Sequence, residues 1–304
     1  MQPLGRDRTM PGLFASAEDA ATRLAATGYL SDPDLATVTF LADSLGKPLL
    51  LEGPAGTGKT ELAKAVAAAT GAELVRLQCY EGIDEARALY EWNYRKQLLR
   101  IQSAERGEGD TPDWDQQRNN IFSEEFLLAR PLLTAIRRET PTVLLIDETD
   151  KADVEIEGLL LEVLSDFQVT IPELGTITAT RRPFVVLTSN ATRELSEALR
   201  RRCLYHHVDY PTAERERAIV LTRVPEASAT LAESVVRTIR AIRDLNLRKP
   251  PSVSETIDWT RALLALGIPS VDAAALDRTI GVVVKHQSDL DRVRTQLQLD
   301  RGGA

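Results

Sequence analysis

Gly53-Pro54-Ala55-Gly56-Thr57-Gly58-Lys59-Thr60 decides the fold of this chain. The octapeptide has the spacing G-x-x-x-x-G-K-[ST]. Its glycines let backbone N–H groups turn inward around a polyphosphate, its lysine reaches the β- and γ-phosphates, and its last hydroxyl ligates Mg²⁺. The flanks supply the context the spacing needs. Pro48-Leu49-Leu50-Leu51-Glu52 is an apolar run that reads as a buried strand, and Glu61–Ala69 continues as a helix. A glycine-rich turn matching by chance would lack such flanks. The nucleotide-binding residues are therefore expected to be Gly53, Pro54, Ala55, Gly56, Thr57, Gly58, Lys59, Thr60 and Glu61, with Thr60 also a Mg²⁺ ligand.

Downstream, Thr142-Val143-Leu144-Leu145-Ile146-Asp147-Glu148 is an apolar, partly β-branched run closing on two carboxylates. Such a run reads as a central parallel strand buried on both faces, and open α/β sheets place their ligands at the C-terminal ends of strands. There Asp147 is expected to hold Mg²⁺ through water and Glu148 to polarise the attacking water. A lone Asp-Glu pair usually caps the next turn. Beside a phosphate loop the catalytic reading prevails, because phosphoryl transfer needs these parts together. A third run, Arg182–Asn190, ends on a polar residue at the same level. Asn190 positions the lytic water or contacts the γ-phosphate, or else simply forms a turn.

Composition bounds the rest. A chain of 304 residues predicts one large or two modest domains, and 43% apolar with 27% charged residues matches an ordinary soluble globular protein. Cys79 and Cys203 are the two cysteines and have no metal-ligand or redox spacing, so reduced thiols in a cytoplasmic protein are expected. Met1–Met10 carries charges without an apolar stretch behind them, which predicts no secretory signal. No run approaches 18 apolar residues, so no transmembrane segment is expected. A net charge of −8 argues against a general nucleic-acid binder, though a local basic pore in an oligomer stays open.

Five segments carry a family resemblance: LADSLGKPLLLEGPAGTGKT (41–60), RPLLTAI (130–136), VLLIDETDKAD (143–153), LLLEVLSDFQVTIPELGTI (159–177) and VVLTSNATRELSEALRRRC (185–203). In order and spacing they resemble an AAA+ ATPase, and more closely the MoxR group in its CoxD-like branch, over roughly residues 25–270. That branch is associated with maturation of carbon monoxide dehydrogenase-type molybdenum hydroxylases. The resemblance implies an α/β fold: a P-loop AAA+ core with a parallel sheet flanked by helices, plus a small C-terminal α-helical lid. It divides the chain into an N-terminal extension (1–24), a nucleotide-binding core (25–210) and the lid (211–304). It also implies ATP with Mg²⁺, a homo-oligomeric ring, most simply a hexamer, a von Willebrand factor A domain adaptor and a client metalloenzyme.

Several residues take roles from that resemblance. The family completes its site in trans with an arginine following Leu195–Leu199; alignment favours Arg202, then Arg201, against the plainer alternative of a solvated basic turn. Lys151 is either a second cross-subunit cation or a surface charge. Residues 167–179 alternate around a Pro/Gly turn, a β-hairpin signal that either extends the sheet or, as in relatives, projects toward a ring pore. Residues 80–120 hold the relatives' helical insert: Glu85–Gln102 reads as helix and Ala104–Asn119 as an exposed connection. Trp92 and Tyr94 either contact substrate there or belong to the core. Tyr29 and Leu30 flank the adenine or pack a helix. After Pro211, helices are expected over Thr212–Leu221, Leu231–Leu245, Thr256–Leu266 and Ala273–Lys285. Where many relatives place a second sensor arginine, this chain has Ser254-Glu255, leaving Arg248 and Lys249 as substitutes. Rival readings of function are an activase of another enzyme, as in rubisco-activating or nitric oxide reductase-associated ATPases, and a nucleic-acid motor or GTPase.

Overall fold

The computed structural model describes residues 12–105 and 121–296. Helices α1 (Ala17–Ala26) and α2 (Pro33–Leu45) precede strand β1 (Leu49–Glu52), and the glycine loop then opens into α3 (Lys59–Thr70). Next come β2 (Glu73–Gln78), the single turn α4 (Glu85–Ala88), β3 (Tyr90–Trp92), α5 (Tyr94–Glu105), β4 (Leu127–Ala129) and α6 (Pro131–Arg137). Strand β5 (Thr142–Asp147), α7 (Val154–Asp166), β6 (Gln168–Ile171), β7 (Gly175–Thr178), β8 (Phe184–Ser189), α8 (Glu197–Arg202) and β9 (Leu204–His207) complete the α/β part. The remaining described residues form α9 (Ala213–Arg223), α10 (Ala229–Arg243), α11 (Val253–Ala265), α12 (Ala273–Thr279) and α13 (Gln287–Gln296), with no strand among them.

The main sheet has the order β2-β5-β8-β1-β9, every pair parallel. Parallel neighbours require crossovers, and helices provide them on both faces. Alternation along each strand divides the core in two. Leu50, Leu144, Ile146, Val185 and Leu187 face one cluster, completed by α6, α7 and the β6–β7 hairpin. Leu49, Leu51, Val143, Leu145 and Val186 face the other, completed by α1, α2 and α3. All six residues of β5 and of β8 are buried, as expected for central strands. Registry then fixes the functional edge: Gln78 lies beside Asp147, and Glu52 beside both Ser189 and His207.

The C-terminal helices have a core of their own around Trp259, whose indole N–H donates to the Thr279 hydroxyl at 2.8 Å. Thr212, Ser228, Ser252 and Asp272 cap α9, α10, α11 and α12, each accepting a first-turn N–H. This unit meets the sheet domain at several points. Arg215 reaches Asp32 at 2.6 Å and the Leu30 carbonyl at 3.0 Å, Arg223 reaches Glu61 at 3.0 Å, and Ser252 lies against Gly56. No described helix is long and apolar enough to cross a membrane.

Three expectations change. A division after residue 24 falls inside α1, whose Ala20 and Leu24 are buried in the sheet domain's core. The continuous helix over Glu85–Gln102 is broken: β3 pairs antiparallel with β4, Trp92 opposite Leu127. Trp92 is 8% exposed and packs edge-on to Phe122, so it belongs to the core, whereas Tyr94 is 61% exposed. The last expected helix stops at Thr279 and continues as a 3₁₀ turn, Ile280–Val282. The expected 167–179 hairpin is present as a two-stranded sheet separate from the main one, burying Val169 and Ile171 and exposing Thr170 and Thr176. Most of the expected connection, residues 106–120, lies outside the described residues.

Candidate nucleotide site

Glu52 is the last residue of β1, and the chain must leave the sheet at once to form the loop. Gly53 makes this exit with φ 151°, and a Cβ there would stand 2.1 Å from the Val208 carbonyl oxygen. Backbone just after β9 thus closes directly over the loop's first residue, and only glycine fits. Gly53→Ala is expected to destabilise the chain by about 1–3 kcal/mol through overpacking and to abolish ADP binding. Thermal denaturation and calorimetric titration would test this, and a variant as stable as wild type would show that this backbone yields.

Lys59 begins α3 and folds back over the loop, donating to the carbonyls of Gly53 (2.7 Å) and Pro54 (2.6 Å). It is 5% exposed. Burial lowers its pKa to about 8, against the opposing pull of Asp150, Asp147 and Glu148. A polyphosphate would supply the counter-charge that those two carbonyls lack.

Thr60 and Asp147, far apart in sequence, meet because α3 packs on β5. The Thr60 hydroxyl donates to Asp147 Oδ1 at 2.9 Å. The Thr188 hydroxyl donates to the same oxygen at 2.5 Å and accepts the Glu148 N–H at 2.9 Å. Arg76 on β2 balances the carboxylate, 2.6 Å from Oδ2. A buried carboxylate paired with a hydroxyl is a hard-oxygen donor set, which suits Mg²⁺ carried in with a nucleotide.

Glu148 turns the chain out of β5 in the left-handed conformation, φ 57° and ψ 47°. A non-glycine residue there is strained by about 1–2 kcal/mol, and the strain aims its side chain over the sheet edge. Its Oε2 accepts from Lys151 at 2.6 Å and Gln78 at 3.1 Å. Lys151 therefore serves Glu148 within its own chain.

Asn190 follows β8 at the same edge. Asp150, 3% exposed, accepts the Asn190 N–H at 3.2 Å and both the N–H (3.1 Å) and hydroxyl (2.5 Å) of Thr192. Burial raises the Asp150 pKa, but these hydrogen bonds outweigh it and leave the group below its ordinary value.

Other expected residues lie further off. Glu61 is engaged by Lys64 (2.6 Å) and Arg223 (3.0 Å). Of the three arginines on α8, Arg200 pairs with Glu52 at 3.2 Å, Arg201 with Glu197 at 2.9 Å, and Arg202 donates to Ser165 on α7 at 2.5 Å. Arg202 is thus held by α7 within its own chain. Tyr29 packs on the core beside Gly58. In α11, Glu255 is used in a capping box with Ser252, so no arginine occupies the first turn, and Asp289 holds the backbone N–H groups of Arg248 and Lys249. Thr188, Arg76, Gln78 and Asp150 were not anticipated. Each is polar at the end of a strand or turn, and only Asp150 had a sequence signal, lying three residues after Asp147.

Residues 49–210, slightly more than half the chain, match the family model "ATPase family associated with various cellular activities". The chaperone ClpB 2 of Parasynechococcus marenigrum is 34% identical over 175 residues, covering 58% of this chain but 16% of that chaperone. An uncharacterized protein of Staphylococcus haemolyticus is 24% identical over 268 residues, covering 84% and 92% of the two chains. A RuvB mutant from Thermotoga maritima superposes with TM-score 0.50 at 17% identity, over 96% of this chain and 81% of the other, a likeness in fold. The chain belongs to the ATPase family associated with various cellular activities.

Proposed function

We propose that the chain is a MoxR-type AAA+ chaperone that hydrolyses ATP in a ring, most simply a hexamer, to remodel a client metalloenzyme, a molybdenum hydroxylase of carbon monoxide dehydrogenase type. The observation carrying the ATP chemistry is the meeting of Thr60 with Asp147, 2.9 Å apart, below a glycine loop and beside Glu148. The client rests on the five segments quoted above, and the likeness to ClpB chaperones supports remodelling as the class of work.

In this reading the loop from Gly53 to Thr60 wraps the phosphates with backbone N–H groups, and Lys59 leaves its two carbonyls for phosphate oxygens. Thr60 and Asp147 hold Mg²⁺, which offsets the charge that develops on the transferring phosphoryl group. Glu148 releases Lys151 and orients the attacking water. Asn190 reads the γ-phosphate. Arg202 completes the next subunit's site, with Arg201 as its alternate. The 167–179 hairpin bears on the client from the pore, and an adaptor with a von Willebrand factor A domain presents that client. The protein works in the cytoplasm without binding nucleic acid.

Light scattering with ATP on wild type and Arg202→Ala tests the ring and the trans arginine together. The expected result is a ring-sized mass for both, with turnover reduced about 10³-fold or more in the variant. A monomer under all nucleotides, or full turnover in Arg202→Ala, would sink the ring mechanism. Metal occupancy of a co-expressed molybdenum hydroxylase, with and without this chain, tests the client.

A further inference from the structure

Asn190 sits in a segment that the chain would not hold unaided. The next residue, Ala191, has φ 56°, a left-handed conformation unfavourable for alanine. Residues so placed persist when their surroundings over-determine them. Here the Ser189 hydroxyl accepts the N–H of Ala191 itself at 3.0 Å, and one further side chain holds both neighbours. Asp150 Oδ1 takes the N–H of Asn190 and Oδ2 takes the N–H and hydroxyl of Thr192, so a single buried carboxylate grips the backbone on both sides of the strained residue. The far end of the segment is tied from the same direction. Glu157, 2% exposed, accepts the Ser196 N–H at 2.8 Å and pairs with Arg193, which also donates to the Ala152 carbonyl at 2.5 Å.

Asp150 itself has little freedom. It lies in the 3₁₀ turn Thr149–Lys151 that begins as the chain leaves Glu148, and the Lys151 N–H donates to the Glu148 carbonyl at 2.9 Å. One carboxylate therefore spans two strained turns, that of Glu148 after β5 and that of Ala191 after β8.

We propose that Asp150 is a positioning residue for hydrolysis, fixing Asn190 at the height above the sheet edge where it meets the γ-phosphate and in register with Glu148. It acts through Asn190 and touches neither nucleotide nor water. This rests on the reading of Asn190 given above.

A double-mutant cycle tests it. Asp150→Asn, Asn190→Ala and the double variant would be measured for ATP turnover, ADP affinity by calorimetry and thermal midpoint. Each single variant is expected to lower turnover about 10- to 100-fold, with the double no worse than the poorer single. ADP affinity should stay within twofold of wild type, because ADP lacks the phosphate that Asn190 meets. Losses that multiply, or ADP affinity that falls with the thermal midpoint, would overturn the proposal and leave Asp150 a structural group. Should Asn190→Ala turn over normally, the reading of Asn190 fails and the proposal with it. Thr192→Val, which removes one donor and keeps the charge, covers the case where Asp150→Asn does not fold. It should lower turnover several-fold alone and add nothing to Asn190→Ala, and additivity there would equally overturn the idea.

Discussion

Glu148→Gln lowers ATP turnover by about 10²–10⁴-fold, the usual contribution of a positioned general base, and leaves ATP binding intact. The amide keeps the shape of the carboxylate and can still accept from Gln78, so the left-handed turn after β5 has no reason to move. What disappears is the anionic oxygen that attracts a water proton. The lost pairing with Lys151 matters little to folding, because that lysine side chain is 43% exposed and surface ion pairs contribute about 0–1 kcal/mol. Single-turnover hydrolysis beside a binding titration separates the two effects. Turnover within a few-fold of wild type would remove Glu148 from the chemistry and point to a group outside the described edge.

Glu216→Ala should unfold the C-terminal helices at a much lower denaturant concentration than wild type. The Glu216 side chain is fully buried and accepts from both terminal nitrogens of Arg243, each at 2.7 Å, and from the Thr256 hydroxyl at 2.8 Å. Arg243 also donates from Nε to the Pro251 carbonyl at 2.8 Å and lies 4.3 Å over the Tyr210 ring. Removing one member of such a pair strands the other charge without water, a loss of about 3–5 kcal/mol. Replacing both, as Glu216→Leu with Arg243→Met, should recover much of it. Urea titration followed by tryptophan fluorescence would report this, since Trp259 lies in the core of the same helices. A midpoint unchanged in Glu216→Ala would mean that water reaches Arg243 in solution. The same variant should weaken nucleotide binding, because the pair anchors the approach to α11, which abuts Gly56.

What was legible in the sequence follows from how each element is buried. Strands β1, β5 and β8 are central, covered on both faces, and therefore appear as unbroken apolar runs. Strands β2 and β9 are edges whose exposed positions alternate with covered ones, as in Val75-Arg76-Leu77, and nothing in composition marks them as strands. Strand β3 was hidden because three residues cannot outweigh the helical spacing around them; tertiary pairing with β4 decided the matter. The phosphate loop and Asp147-Glu148 could be read because their chemistry requires fixed local spacing. Thr188 and Arg76 could not, because their partner Asp147 lies on another strand, and only the registry of the sheet brings them together. Ser254-Glu255, anomalous as a sensor, is explained by capping: Glu255 finishes a helix terminus.

The contact between Ser252 and Gly56 places one end of α11 on the phosphate loop while its other end, Ala265, stands free of it. Thirteen helical residues make a rigid arm about 20 Å long. With its pivot at the loop, a turn of about ten degrees carries the far tip through about 3 Å, given the helical rise that sets the arm's length. Leu266, exposed just beyond that tip, is where any such turn about the loop would displace the surface most.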